Sequence, residues 1–262
     1  GCVSGWEALA SRFGQLKFSD LMTSAIHYAE EGFPLSPVIA DGWIGRESSQ
    51  YSNLYRTFCP KGARPRFGDW IRNKDLATFF KILADQGPGA FYKGEIAEKI
   101  IRYSEKVGGR FSMSDFENHN CDWIEPVSST YRGYDVWQLP PNGQGIAALQ
   151  ILNLLEHFDI ESMEPNSAQQ LHLFLEAKKL AFEDRAVYYA DMDFADVPLK
   201  ELISKSYAAE RVKLIDPDRA AQKVAPGRLK SSSDTIYLTA ADQHGNMISL
   251  IQSIYHGWGS KW

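Results

Sequence analysis

The stretch 231–253, SSSDTIYLTAADQHGNMISLIQS, decides how the rest of the chain is read. TIYLTAA and MISLIQS alternate along a strand, and the DQHGN between them is rich in turn formers, which predicts a β-hairpin. Ahead of it, residues 216–234 (DPDRAAQKVAPGRLKSSSD) are polar with few large apolar side chains, which predicts a flexible linker rather than a core element. A Thr at such a junction has a specific chemical use. Its hydroxyl is a poor nucleophile inside a chain, because nothing on the same residue takes the proton. Cutting the bond between Asp234 and Thr235 would place an α-amino group, of reference pKa about 7.7–8.0, on the residue that carries the hydroxyl. One residue then holds both nucleophile and base. The plainer reading, Thr235 as an ordinary first residue of a strand, prevails on pattern alone.

Composition bounds the alternatives. The 262 residues suffice for one large domain or two small ones, and 44% hydrophobic with 23% charged residues is ordinary for a globular protein. A net charge of −5 without a basic stripe argues against nucleic acid as partner. Cys2, Cys59 and Cys121 are too few for a disulfide framework, and no CxxC or zinc-finger spacing occurs, so no structural metal and no cofactor are expected. No apolar run approaches the ~20 residues that span a bilayer. GCVSGWEALASRFG at the start lacks a basic n-region and an apolar h-region. Lacking Met, it reads as the interior of a longer protein.

Residues 1–120 read as mostly helical. Apolar spacing predicts helices in GWEALASRFG, FSDLMTSAIHYAEEGFP, NKDLATFFKILADQGPGAFY and GEIAEKIIRYSEKVGG. Ser19 and Asn73 are expected caps, Gly32 with Pro34 and Gly108-Gly109 expected stops, and Ser112 or Ser114 an expected cap for one more short helix. Residues 44–70 read as loop-rich. DWIEPVSSTYRGYDVWQLPP predicts strands near 123–129 and 134–139 around a turn at Arg132-Gly133. Residues 142–215 return to helix: a buried one from Ile146, a long one capped by Asn166 or Ser167, and one in SKSYAAERVKLID.

GxSxG, GxxxxGK[ST], GxGxxG and HExxH are all absent. Each His, His244 in the expected turn included, is read as a surface or core residue. PPNGQG (140–145) is read as a tight helix entry rather than a ligand loop. Glu183-Asp184 beside Arg185 is read as a structural ion-pair set rather than an acid/base pair.

The order of segments adds a resemblance. DTIYLTAADQHGNMISLIQS resembles the small-subunit start of the γ-glutamyltransferase (γ-glutamyl transpeptidase) family: a Thr, a strand, D-x-x-G-N and a second strand. AIHYAEEGFPLSPVIA, FYKGEIAEKI, GGRFSMSDF, YRGYDVWQLPPNGQGIAALQILNLLEHFD and LEAKKLAFEDRAVYYADMDFADVP are similar to large-subunit segments in family order. The resemblance covers nearly the whole chain. It implies an α+β fold, part of an αββα N-terminal-nucleophile hydrolase sandwich, with residues 1–234 in the large subunit and 235–262 in the small one, both from one precursor.

The resemblance implies roles as well. The precursor cuts itself between Asp234 and Thr235, and Thr235 then attacks γ-glutamyl amides such as glutathione. Ser253, eighteen residues on, falls on the family's second hydroxyl position and orients Thr235. Tyr255 stands where many members carry an Asn that binds the donor's α-amino group. That departure bears on glutamate recognition, and the cephalosporin acylase-like branch acts on glutaryl or other acyl groups. The carboxylate-binding arginine, the acidic residues for the amino group and the oxyanion-hole glycines are expected outside this chain. An oxyanion hole contributes ~10²–10³ in rate per donor, so the 262 residues alone are expected to be nearly inactive. The resemblance assigns no compartment. Three readings stay open: a γ-glutamyl hydrolase or transferase, a glutaryl-type acylase, and a non-catalytic helical binding module.

Overall fold

The computed structural model describes residues 1–44, 52–222 and 235–253. The chain divides into two compact units, one of residues 1–122 with the hairpin and one of residues 123–230.

In the first unit, helices α1 (Cys2–Phe13) and α2 (Phe18–Glu31) lead to a two-residue strand β1 (Phe33–Pro34) and a short helix α3 (Pro37–Asp41). Helix α4 (Ser52–Phe58) and strand β2 (Trp70–Ile71) follow, then α5 (Lys74–Gln86), α6 (Gly89–Lys93), α7 (Glu95–Lys106) and α8 (Met113–Glu117). Caps account for several starts. Asn73 accepts from the Leu76 N–H at 2.9 Å, and Ser112 forms a capping box with Asp115. Ser19 is not a cap: α2 begins one residue earlier, at Phe18, so Ser19 lies inside the first turn and Lys17 holds the cap position without a side-chain bond. The stretch read as loop-rich contains α4 and β2. Two-residue strands such as β1 and β2, antiparallel with Phe33 opposite Ile71, are too short to leave a period in sequence.

Why this unit holds together follows from its aromatic residues. Val3, Leu83, Ala90, Tyr92 and Ile96 are buried, and Trp6, Phe18, Phe79, Phe80 and Phe91 pack on them. Phe79 and Phe91 meet edge to face at 6.0 Å between centroids. Ser4 ties the N-terminal helix in: its N–H donates to the Tyr92 hydroxyl at 3.2 Å, and its Oγ meets His119 Nε2 at 3.0 Å. Because Ser4 Oγ also donates to the Gly1 carbonyl at 2.8 Å, His119 must be the donor in that pair. The arrangement is a tether, not an activated serine.

The second unit is built on α9 (Ile146–Leu155), with hairpin β3 (Val127–Tyr131) and β4 (Tyr134–Gln138) on one side and α10 (Ala168–Tyr188) on the other. α11 (Leu199–Leu202) and α12 (Lys205–Arg211) complete it, with 3-10 turns at Ile160–Ser162 and Val212–Leu214. The first strand starts at Val127, after Pro126, which cannot donate to a ladder. Arg132 and Gly133 both take positive φ, 49° and 86°, the geometry of a tight hairpin turn. α9 is buried on two sides, as expected of its almost continuous apolar face, with Gln150 and Asn153 buried among its apolar residues. Ile151 and Leu154 face Leu173, Ala177 and Leu180 of α10, while Ile146 and Leu149 face Val127, Val136 and Leu202. Ser167 caps α10 by accepting from the Gln170 N–H at 3.2 Å; Asn166 takes a positive φ of 61° instead.

Glu156, just past α9, fastens the β3–β4 turn. Its carboxylate accepts from the Arg132 N–H at 2.9 Å and from the Lys205 ammonium at 2.5 Å, and these bonds hold its carboxyl below the ordinary value. A depressed folded value stabilises the protein fully above the unfolded pKa near 4.5 and loses that contribution as pH falls through the folded value. Urea midpoints measured from pH 7 to pH 3 are therefore expected to separate wild type from E156Q at neutral pH and to converge below pH ~4. Parallel curves over the whole range would remove Glu156 from the account.

Candidate functional site

Strand β5 (Thr235–Ala241) pairs antiparallel with β6 (Met247–Ser253). The register is set by the turn. Asp242 Oδ1 accepts from the N–H of His244 at 2.8 Å and of Asn246 at 3.0 Å, and Oδ2 accepts from the Asn246 side-chain amide at 2.8 Å. The Asn246 side chain and backbone together hold the Asp242 carboxyl below its ordinary value. Gly245 takes φ 82°, a conformation that costs a side-chain-bearing residue strain. Each of Asp, Gly and Asn in DQHGN thus has a defined task, and His244 is exposed as read.

With the turn fixed, the strand ends follow. The partners run from Ala241 opposite Met247 to Thr235 opposite Ser253. Directly opposite positions on an antiparallel pair are the ones whose side chains meet, and a one-residue slip moves every side chain to the other face. The hairpin also presents apolar surface on both faces: Met247 is 83% and Ile251 64% exposed on one, and Leu238 and Ile248 are exposed on the other. Asp234, Tyr255 and the bond between Asp234 and Thr235 lie outside the described residues.

Within the other candidate, Glu183-Asp184-Arg185, Asp184 lies in a buried network in the second unit. Asp184 is 5% exposed and accepts from Gln150 at 2.8 Å, the Tyr207 hydroxyl at 3.0 Å and the Arg211 guanidinium at 3.0 Å. Its partner is Arg211, not the adjacent Arg185, whose guanidinium lies over the Phe182 ring. The Tyr189 hydroxyl donates to Gln150 in turn. Burial pushes the Asp184 carboxyl up against the pull of Arg211. Burial and the neighbouring Asp184 push the Tyr207 phenol up to about 12 and raise Tyr189 too. Asp184 is buried and hydrogen-bonded to packing side chains, in keeping with the structural reading of the pair. Sequence spacing could not reveal that Gln150, Tyr207 and Arg211 belong with Asp184, because they come from α9 and α12.

A shallow cavity of about 570 Å³ in the first unit is lined by His27, Tyr28, Glu31, Phe33, Trp70 and Arg72 among others, and none of its lining comes from the hairpin. Among the described residues no group of three or more His, Cys, Asp or Glu side chains is arranged to hold a metal ion, and no helix is long and apolar enough to cross a membrane.

Comparison with known proteins places this geometry. The profile of the Gamma-glutamyltranspeptidase family matches residues 1–262. The Glutathione hydrolase-like YwrD proenzyme of Bacillus subtilis is 36% identical over 99% of this chain and 49% of its own length. The crystal structure of a cephalosporin acylase from Bacillus halodurans superposes with a TM-score of 0.83 at 34% identity, covering 98% of this chain and 48% of that one. The Helicobacter pylori gamma-glutamyltranspeptidase gives 0.73 at 30% identity, covering 89% of this chain and 69% of that one. These likenesses define a partial α+β fold of the N-terminal-nucleophile hydrolase type. The chain belongs to the γ-glutamyltranspeptidase family. It spans about half the length of the curated relatives it matches.

Proposed function

We propose that the full-length protein is a γ-glutamyl hydrolase or transferase made as a proenzyme. The observation that carries this reading is the register of Thr235 opposite Ser253, in a chain matched end to end by the family. Thr235 Oγ attacks the Asp234 carbonyl, the C–N bond breaks, and an ester joins Asp234 to the Thr235 side chain. Water then hydrolyses that ester and leaves Thr235 with a free amine, the start of the small subunit. The neutral amine takes the hydroxyl proton as Oγ attacks a γ-glutamyl amide, and passes it to the leaving amine. The γ-glutamyl-enzyme ester is then cleared by water or by an acceptor amine. Ser253 hydrogen-bonds Thr235 and aims it.

Intact-mass measurement of the full-length protein tests the reading. Two fragments meeting between Asp234 and Thr235 are expected; a single uncut species would favour the non-catalytic binding module instead. A second reading keeps the Thr chemistry but takes a glutaryl-type acyl group. It is favoured by Tyr255 in place of the family's Asn and by the likeness to a cephalosporin acylase. Matched γ-glutamyl and glutaryl amide donors separate the two: faster γ-glutamyl turnover is expected, and faster glutaryl turnover would select the acylase.

A further inference from the structure

The segment ahead of the hairpin reads as linker from Asp216 onward, yet its first part is gripped. Three residues on one stripe of α10 hold it. His172 Nε2 donates to the Asp216 carbonyl at 2.8 Å. One turn on, Glu176, only 3% exposed, accepts from the Ala221 N–H at 3.2 Å and from the Lys179 ammonium at 2.5 Å. Lys179 also donates to the Ala221 carbonyl at 3.3 Å. Positions 172, 176 and 179 share a helix face by their spacing, so both backbone polar groups of Ala221 end on α10. A carboxylate this buried is costly unless paired, and no other partner of Glu176 occurs among the described residues. Burial alone would push its carboxyl up, but the Lys179 and Ala221 hydrogen bonds, with the charges of Lys179 and His172, outweigh that and hold it below the ordinary value. The grip reads backbone only, so the composition of residues 216–222 carries no trace of it.

We infer that Glu176, with Lys179 and His172, is a positioning set that anchors the chain upstream of the cleavage site at Ala221. After a cut before Thr235 the chain up to Ala221 therefore stays held on α10. At ~3.5 Å per residue, the new end at Asp234 reaches no further than about 45 Å from Ala221. The consequence for maturation rests on the cleavage reading above; the anchor itself does not.

Trypsin reports on the anchor directly, because Arg219 lies inside the gripped segment and Lys223, Arg228 and Lys230 lie beyond it. In the full-length protein, cutting after Arg219 is expected to be at least ~10-fold slower than after Lys223, the scale of losing a charge-assisted hydrogen bond. E176A is expected to bring the two rates together. E176Q, whose side-chain oxygen still accepts from the Ala221 N–H, is expected to restore most of the protection at an unchanged melting temperature. H172A, outside the buried pair, is expected to speed the Arg219 cut alone, and it serves if E176A does not fold. Equal rates in the wild type, or an Arg219 cut that neither E176A nor H172A accelerates, would overturn the anchor. Running the digest in a T235A background separates the two ideas. Absence of self-cleavage in the wild type sinks the enzyme reading, while the Arg219 rates still judge the anchor.

Discussion

Replacing Thr235 by Ala in the full-length protein is expected to leave one uncut species and to lower turnover of γ-glutamyl amides by about 10⁴-fold or more. The size follows from removing nucleophile and base together, since both sit on this residue once the chain is cut; loss of a catalytic nucleophile elsewhere costs on the order of 10⁶ in kcat. T235S keeps a hydroxyl and is expected to keep the cut. Ser253 is the sharper probe. It stands opposite Thr235 in the register, so S253A should lower kcat by about 10²-fold, the scale of one positioned hydrogen-bonding group, with KM little changed. Mass spectrometry and donor kinetics read all three variants. A T235A protein that still divides at the same bond would end the proposal, and an S253A protein with wild-type kcat would remove the supporting role.

The second large effect lies in the second unit and concerns stability. Asp184 is the only carboxylate bonded to Arg211 among the described residues, and the Arg211 side chain is 22% exposed. D184A leaves that guanidinium largely buried without its counter-charge and strips Gln150 and Tyr207 of an acceptor. Breaking one partner of a buried pair costs about 3–5 kcal/mol, so chemical denaturation of D184A should show a loss of that order. The double variant D184L/R211M removes both charges and should recover part of it, because no unpaired charge remains; the stranded Gln150 and Tyr207 keep the recovery incomplete. A D184A protein within ~0.5 kcal/mol of wild type would mean that water satisfies Arg211 and that the buried pair does not carry this stability.

The sequence by itself determined the parts whose causes are local. Alternation and DQHGN determined the hairpin, because Asp242, Gly245 and Asn246 act within one turn. Asn73 determined one helix start, and Ser112 or Ser114 and Asn166 or Ser167 bracketed two more, because a cap bonds a backbone N–H only two or three residues away. The order of segments along the chain determined the family. Tertiary structure alone decided which distant residues meet. It paired Asp184 with Arg211 rather than with its neighbour Arg185, since adjacent residues on a helix point to different faces. It started α2 at Phe18, one residue ahead of the serine that looks like a cap. It held Asp216 and Ala221 on α10, where composition reads as free linker, because the grip contacts main chain and leaves no mark on side-chain identity. The five-residue turn 242–246 carries the local signal across to the strand ends, and the paired strands complete it by setting Thr235 opposite Ser253, because register is a property of two paired strands.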